Sequence, residues 1–164
     1  MRFVLEQQIN GPVETVARIY TDRRFYERLG ELPRLGRPEV LDRHEDGSVV
    51  RLAVRFRFTG TLSPAVTRVV DPARLSWIEE SVHDLERHTV TFVMKPDNYP
   101  DRLRFNGSSR FEAAGERRTR RVAEGEVAVR VPLVGRTVEG AIVTGLREHL
   151  AGEVAVVEGL LGDL

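Results

Sequence analysis

The sequence predicts an α+β fold in which a curved seven-stranded antiparallel sheet wraps around a long C-terminal helix, with two short helices after the first strand. Three observations lead to this prediction. The chain opens with alternating apolar and polar residues, further alternating segments separated by turns run from Glu39 to about Pro132, and residues 132–164 keep a helical period. The sheet must cover its apolar face, and a helix of roughly 25 residues spans almost 40 Å, enough to do so.

The first elements are a strand and two helices. Residues 3–9 alternate as a half-buried strand does, and Asn10-Gly11-Pro12 ends it. We expect Pro12 to occupy the first helical position, with Glu14 in the first turn. Thr21-Asp22 breaks this helix before a second one that contains Phe25, Tyr26 and Leu29.

The remaining strands follow from alternation and from turn residues. Asp46-Gly47 predicts a hairpin between residues 40–45 and 49–58. Residues 61–70 contain Pro64 and predict a short helix or an irregular crossing, which Asp71-Pro72 ends. Four further strands are predicted at residues 75–82, 88–95, 103–113 and 118–131. Short connections between consecutive strands favour antiparallel pairing.

Length and charge limit the classes of function. The 164 residues favour one domain, residues 1–164, that buries roughly 70% of its unfolded surface. Basic and acidic residues number 25 each, so the net charge is zero and we expect no binding to nucleic acid. No cysteine is present, which removes disulfides and thiolate metal sites. No apolar run near the N-terminus is long enough for a signal peptide or a membrane span, so we expect a cytoplasmic protein without integral membrane association.

The C-terminal helix has one bulky edge and one hollow edge. At 100° per residue, a sector about 80° wide carries mostly small side chains: Val138, Ala141, Gly145, His149, Gly152, Val156 and Gly159. The neighbouring sector carries bulky residues, namely Ile142, Leu146, Leu150, Val157, Leu160 and Leu161. Each interior glycine costs about 1 kcal/mol of helix stability relative to alanine. The hollow edge therefore indicates either space for a ligand or close approach of the helix backbone to the sheet.

Two features of the chain resemble the START-like superfamily, also called SRPBCC or the helix-grip fold. One is the helix start Pro-Val-Glu-x-Val directly after the first strand, and the other is the long terminal helix. The stretch 125–135, which runs straight into Arg136-Thr137-Val138-Glu139, resembles the strand-to-helix junction of the domain-of-unknown-function family 2505. The resemblance implies a fold and a cavity. It implies no reaction, because the superfamily includes lipid carriers, hormone receptors and aromatase/cyclases.

Apolar candidates for ligand contact come from the inward phase of the strands and from the hollow helix edge. The strands supply Phe56, Phe58, Trp77, Phe92, Met94, Phe105 and Phe111, and the helix supplies Ala141, Gly145, His149 and Gly152. Aromatic and methionine side chains at alternating positions also form ordinary core. The row of glycines favours the interpretation as a cavity.

Polar candidates interrupt these apolar rows. His149 and Glu153 lie four residues apart on the terminal helix. They are candidates to bind a ligand head group or to act as an acid/base pair, and the alternative is that they only pair with each other. We assign no other catalytic residue. The strands add Gln7, Glu79, His88 and Ser109 in the inward phase. Arg121 depends on register, because a bulge at Gly125 would turn it outward and Val122 inward.

The function these patterns favour is binding or transport of a hydrophobic small molecule that is lipid-like, polyketide-like or aromatic. One alternative is a cyclase or dehydratase that uses a pocket acid/base pair. Another is a protein-interaction module without a ligand, using the basic hairpin 117–121 or the loop 96–100. The four histidines lack metal-ligand spacing, and no phosphate-binding loop is present, so we expect no metal and no cofactor. The sequence specifies neither the ligand nor the oligomeric state.

Overall fold

The computed structural model describes residues 1–164 and contains one seven-stranded antiparallel sheet in the order β1-β7-β6-β5-β4-β3-β2. The strands are β1 (Arg2–Asn10), β2 (Glu39–Asp46), β3 (Val49–Arg57), β4 (Ser76–Asp84), β5 (Thr89–Pro96), β6 (Leu103–Ala113) and β7 (Arg118–Val129). The helices are α1 (Val13–Ile19), α2 (Arg23–Leu29), α3 (Pro64–Thr67) and α4 (Gly135–Gly162). The predicted α+β helix-grip architecture is confirmed, including both short helices after β1.

The helix boundaries differ from the prediction by one residue at Pro12. This residue has an extended backbone (φ −63°, ψ 140°) and precedes α1, which begins at Val13. The second helix has a side-chain cap, because the Asp22 carboxylate accepts a hydrogen bond from the Arg24 backbone N–H at 2.9 Å. The predicted crossing at 61–70 contains α3, and a 3-10 turn at Pro72–Arg74 follows it.

Gly125 marks a close approach of two strands, and the bulge considered there is absent. The pairing of β7 with β1 and with β6 runs without interruption through Gly125, which lies opposite Gly107. A Cβ atom added to Gly125 would lie next to the carbonyl oxygen of Asn106, and one added to Gly107 next to that of Glu124. The only register shift in the sheet lies in β2, between Val40 and Asp42. The strand β7 therefore keeps one inward phase along its length.

The long helix α4 packs on one side of the sheet. It contacts β1, β7, α1 and α2. Its bulky edge joins two buried groups: Leu150 packs with residues of β1, β6 and β7, and Val157 and Leu160 join the core that α1, α2 and β3 form. None of the helices, α4 included, combines the length and the hydropathy needed to cross a membrane. The hollow edge is left facing the middle of the sheet.

Candidate functional site: a cavity between the sheet and the long helix

A cavity of about 650 Å³ lies between the inner face of the sheet and α4. Most of the residues that line it are hydrophobic, as is usual for small-molecule sites. All eleven residues proposed from the sequence for ligand contact line this cavity: Phe56, Phe58, Trp77, Phe92, Met94, Phe105, Phe111, Ala141, Gly145, His149 and Gly152. That these residues bind a ligand stays a prediction.

The hollow edge of α4 borders this space in its middle. A Cβ atom added to Gly145 would have no heavy atom within 4 Å, so no backbone of the sheet approaches the helix there. At Gly152 the nearest atoms belong to the Leu32 side chain, at 3.0 Å. Gly159 lies beyond the cavity, against the guanidinium of Arg28. Close backbone approach is therefore the wrong explanation for Gly145, which faces open space.

Aromatic side chains form two of the cavity walls. Phe56 and Trp77, cross-strand neighbours on β3 and β4, stack with ring centroids 5.8 Å apart. Phe105 packs between Phe3 and Phe92, at 5.7 and 5.6 Å. The ends of the Phe3 and Phe92 rings come close to Gly125 and Gly107, so a Cβ atom at either glycine would displace them. These rings offer flat apolar surface to a ligand.

A buried ion pair joins the sheet to the helix at the cavity wall. Arg121 Nη1 of β7 donates to Glu153 Oε2 of α4 at 2.5 Å and to the hydroxyl of Tyr20 at 3.2 Å. The second oxygen of Glu153 lies 3.1 Å from His149 Nε2. Arg121 is 9% exposed and Glu153 is 7% exposed. The expected contact between His149 and Glu153 is present, but it lies inside the cavity wall and includes an arginine that faces inward.

Both members of this ion pair are held in their charged forms. Burial alone would raise the pKa of Glu153, but the charge of Arg121 and the contacts with His149 and Arg121 lower it below its ordinary value. Burial would likewise lower the pKa of Arg121, and the nearby Tyr20 and Glu153 raise it instead. The pair places a fixed dipole beside the cavity.

Three glutamates line the cavity, namely Glu153, the exposed Glu148 and Glu79 of β4, and Glu79 has a different environment from Glu153. Its carboxylate forms no hydrogen bond within the protein, whereas that of Glu153 has two partners. Burial, followed by the like charge of Glu153, raises the pKa of Glu79 to about 7. Glu79 therefore exchanges a proton near neutral pH, while Glu153 stays ionised.

His83 is a site residue that the sequence interpretation missed. It follows Trp77, Glu79 and Ser81 in the inward phase of β4, so the same alternation extended by two positions would have found it. Its Nε2 lies 3.0 Å from the Ser81 hydroxyl. Burial, with the positive charges of Arg121 and Arg43, lowers the pKa of His83 to about 4, so this imidazole is neutral at pH 7. Its Nδ1 has no protein partner, and neither has the hydroxyl of buried Ser109.

Two of the proposed polar residues lie outside the cavity lining. The prediction for His88 is wrong, because this residue precedes β5 in the β4–β5 turn with a positive φ of 54°. Gln7 lies opposite Arg121 on β1 and is half-buried, but it does not line the cavity. Glu79, Ser109 and Arg121 do line it. Arg121 faces inward because the register at Gly125 is continuous.

Several exposed residues belong to the cavity lining, so the cavity is open to solvent. We use "mouth" for Arg74, Asn98, Tyr99 and Arg102, which all line the cavity although both arginines are exposed. The guanidinium carbons of Arg74 and Arg102 lie 5.1 and 5.7 Å from the centre of the Tyr99 ring. These loop residues carry no periodic signal, which is why sequence patterns did not indicate them.

Solved structures with the same fold cover nearly the whole chain. The protein TTHA0849 from Thermus thermophilus is 20% identical, with a TM-score of 0.69 over 97% of this chain and 95% of its own. The Zhui aromatase/cyclase from Streptomyces sp. R1128 is 12% identical, with a TM-score of 0.68 over 97% and 92%. A START superfamily protein from Mycobacterium smegmatis is 17% identical, with a TM-score of 0.54 over 99% and 97%. At these identities the likeness shows the fold alone.

Sequence comparison gives a narrower assignment. No curated protein matches the chain significantly in sequence. The model of one family, described as "Protein of unknown function (DUF2505)", matches residues 5–161. This match includes the start of α1, most of α4, and the junction between β7 and α4 that resembled family 2505. The chain therefore belongs to the DUF2505 family, within the START-like fold.

Proposed function

We propose that this protein binds or transports a hydrophobic small molecule that is lipid-like, polyketide-like or aromatic. The observation that carries the proposal is the cavity of about 650 Å³ beside Gly145, where the helix carries no side chain and no neighbour fills the space. Cavities of several hundred Å³ with mostly apolar walls suit a ligand of this class. Phe56, Trp77 and Phe105 would supply flat contact surface.

Polar groups deep in the cavity would fix the orientation of such a ligand. The Ser109 hydroxyl and His83 Nδ1 are buried without a hydrogen-bond partner in residues that line the cavity, and Glu79 lines it as well. Unpaired buried polar atoms cost free energy, so a ligand hydroxyl or carbonyl group that pairs with them gains affinity. We propose that the ligand carries at least one such oxygen. We propose that the protein acts in the cytoplasm.

The experiment that tests ligand binding uses 1-aminoanthracene, a neutral apolar dye whose fluorescence rises in apolar sites. We expect saturable binding by the wild-type protein and loss of binding in Gly145→Phe, because the new ring enters the cavity. Thr144→Phe is the matched control, since Thr144 is exposed on α4 and does not line the cavity. Equal binding by both variants, or no binding by the wild type, would contradict the proposal.

A second candidate function is a cyclase or dehydratase reaction, and Glu79 is the observation that favours it. Two carboxylates in one cavity whose environments separate their pKa values form an acid/base arrangement. Glu79 would move a proton near neutral pH, while Glu153, which also contacts His149, would balance the charge of Arg121. The cavity itself speaks against the third alternative, an interaction module with a packed interior.

The test of this second candidate is turnover. Purified protein is incubated with hydroxylated carbonyl compounds of polyketide type, and loss of water is followed by mass spectrometry. We expect product with the wild-type protein and none with Glu79→Gln, which retains the shape of the side chain but carries no proton to transfer. Product formation that is equal in both proteins would rule out Glu79 as the acid or base.

A further inference from the structure

Two arginines at the mouth of the cavity lie near the same aromatic ring. The side chains of Arg74 and Arg102 both lie over the Tyr99 ring. Arg74 Nη2 also donates to the Asn98 side-chain oxygen at 3.1 Å, and the Asn98 amide in turn donates to the Arg74 carbonyl. Stacking on an aromatic ring uses the face of a guanidinium and leaves N–H groups at its edge available to an anion.

Neither arginine has an acidic partner within the chain. Arg74 and Arg102 form no salt bridge within 4 Å, whereas the two other arginines that line the cavity, Arg34 and Arg121, are each paired with a glutamate. Two acidic groups of these loops are already engaged, and the third, Asp101, forms no salt bridge with either arginine. The Asp97 carboxylate contacts Arg55 at 3.2 Å and the Ser76 hydroxyl at 2.6 Å, and the Asp71 carboxylate caps the turn at Ala73. Two positive charges are thus left unneutralised where the apolar cavity meets solvent.

From this juxtaposition we infer that the ligand is an amphiphilic acid, whose apolar body fills the cavity and whose anionic group binds between Arg74 and Arg102 at the mouth. Carboxylates accept bidentate hydrogen bonds from guanidinium groups, and a pair of arginines holds such a group in one position. The inference rests on the proposed function, because it names the class of molecule that enters the same cavity. It adds an anchor besides Glu79 and Ser109.

The anion has two possible sources, a free acid in solution or the head group of a lipid in a membrane. Arg74 and Arg102 belong to the cavity lining, and the residues they contact, Tyr99 for both and Asn98 for Arg74, line it as well. We therefore commit to the free acid. The membrane source predicts a different result and is one outcome of the test.

The experiment compares acids with neutral compounds of the same body by displacement of 1-aminoanthracene at pH 7.5. The pairs are laurate with 1-dodecanol and 2-naphthoate with 2-naphthalenemethanol. We expect the wild-type protein to bind the acid of at least one pair roughly tenfold more tightly than the alcohol, and Arg74→Gln/Arg102→Gln to lose this preference while it still binds the alcohol. Arg57→Gln/Arg104→Gln is the matched control, since both arginines are exposed, unpaired and outside the cavity lining.

The possible results separate the two proposals. If acids and alcohols bind equally and the mouth variant changes nothing, the inference about the acid fails and the proposal of a binding cavity stands. If the dye itself does not bind, the proposed function fails first. Sedimentation with phosphatidylglycerol vesicles tests the source of the anion: protein that stays in the supernatant supports the free acid. If the wild-type protein sediments with the vesicles and Arg74→Gln/Arg102→Gln does not, the anion is a lipid head group and the inference of a free acid is overturned.

Discussion

At the scale of single residues, the ion pair between Arg121 and Glu153 is the central polar feature of this protein. The helical spacing of the sequence indicated Glu153 together with His149. Arg121 could not be assigned with the same evidence, because a bulge at Gly125 would have turned it to the outer face. The side-chain period of a strand is two, so one inserted residue reverses every later side chain. Only the paired strands resolve the direction of Arg121.

We predict that Glu153→Gln destabilises the protein by about 3 kcal/mol, because it leaves the charge of Arg121 buried without a partner. Urea unfolding at pH 7 measures the effect. The matched control is Glu148→Gln, which removes the exposed partner of Arg34, at 2.7 Å, and should cost less than about 1 kcal/mol. Equal losses in the two variants would show that water reaches Arg121 and that the pair is not desolvated.

Glu79 gives a prediction about pH. Its pKa is about 7 in the folded protein against an ordinary value of 4.5, so the folded state binds more protons than the unfolded state between these values. Stability contributed by protonated Glu79 is therefore complete below pH 4.5 and is lost as the pH rises to 7. Relative to Glu79→Gln, the wild type should lose on the order of 2 kcal/mol over this interval. Urea midpoints of both proteins at several pH values measure the difference, and parallel curves would contradict the assignment.

At the scale of elements, glycine occurs in the sheet and in the long helix for opposite structural reasons. Gly125 and Gly107 allow two strands to approach closely, with a neighbouring carbonyl oxygen where a Cβ atom would stand. Gly145 sits in a helix beside open space. The same residue type thus supports packing in the sheet and a cavity at the helix.

We predict that Gly145→Ala stabilises the protein by about 1 kcal/mol, because alanine is the better helix former and its methyl group meets nothing. Gly125→Ala should destabilise it by about 2 kcal/mol, because the methyl group collides with the Asn106 carbonyl and with Phe3. Thermal and urea unfolding of the two variants measure both signs. A stabilising Gly125→Ala would mean that β6 and β7 relax apart.

Elements with a regular repeat could be predicted from the sequence, and residues outside them could not. Periodicity predicted all seven strands and α4, and it placed Trp77, Phe105 and Gly145 at the cavity, since side-chain direction follows from the repeat of a strand or helix. It could not place Tyr20, which comes from a helix end, or Tyr99, which comes from a loop. His88 has the correct phase but a left-handed backbone, so its alternation was misleading. Residues without a repeat acquire their position from tertiary contacts alone.

At the scale of the whole molecule, the cavity couples ligand binding to folding. A ligand at one hundred times its Kd stabilises the folded state by about 2.7 kcal/mol. For a chain of this size we therefore predict that 1-aminoanthracene at that concentration raises the Tm by roughly 5–10 °C. Scanning calorimetry measures the shift, and Gly145→Phe should show none. A shift of the same size in that variant would place the dye elsewhere on the surface.

The one-sided packing of α4 has a consequence for how this protein can diversify. The helix packs on β1, β7, α1 and α2, while β4 and β5 have few contacts with any helix and are held mainly by pairing with their neighbouring strands. Ligands of different width would then require small shifts of β4 and β5 only, while the strands that pack on the helices keep their positions. Ligand selectivity would then depend on the side chains of the mouth, which lie in loops and can be substituted without disturbing the packing of the sheet on the helices.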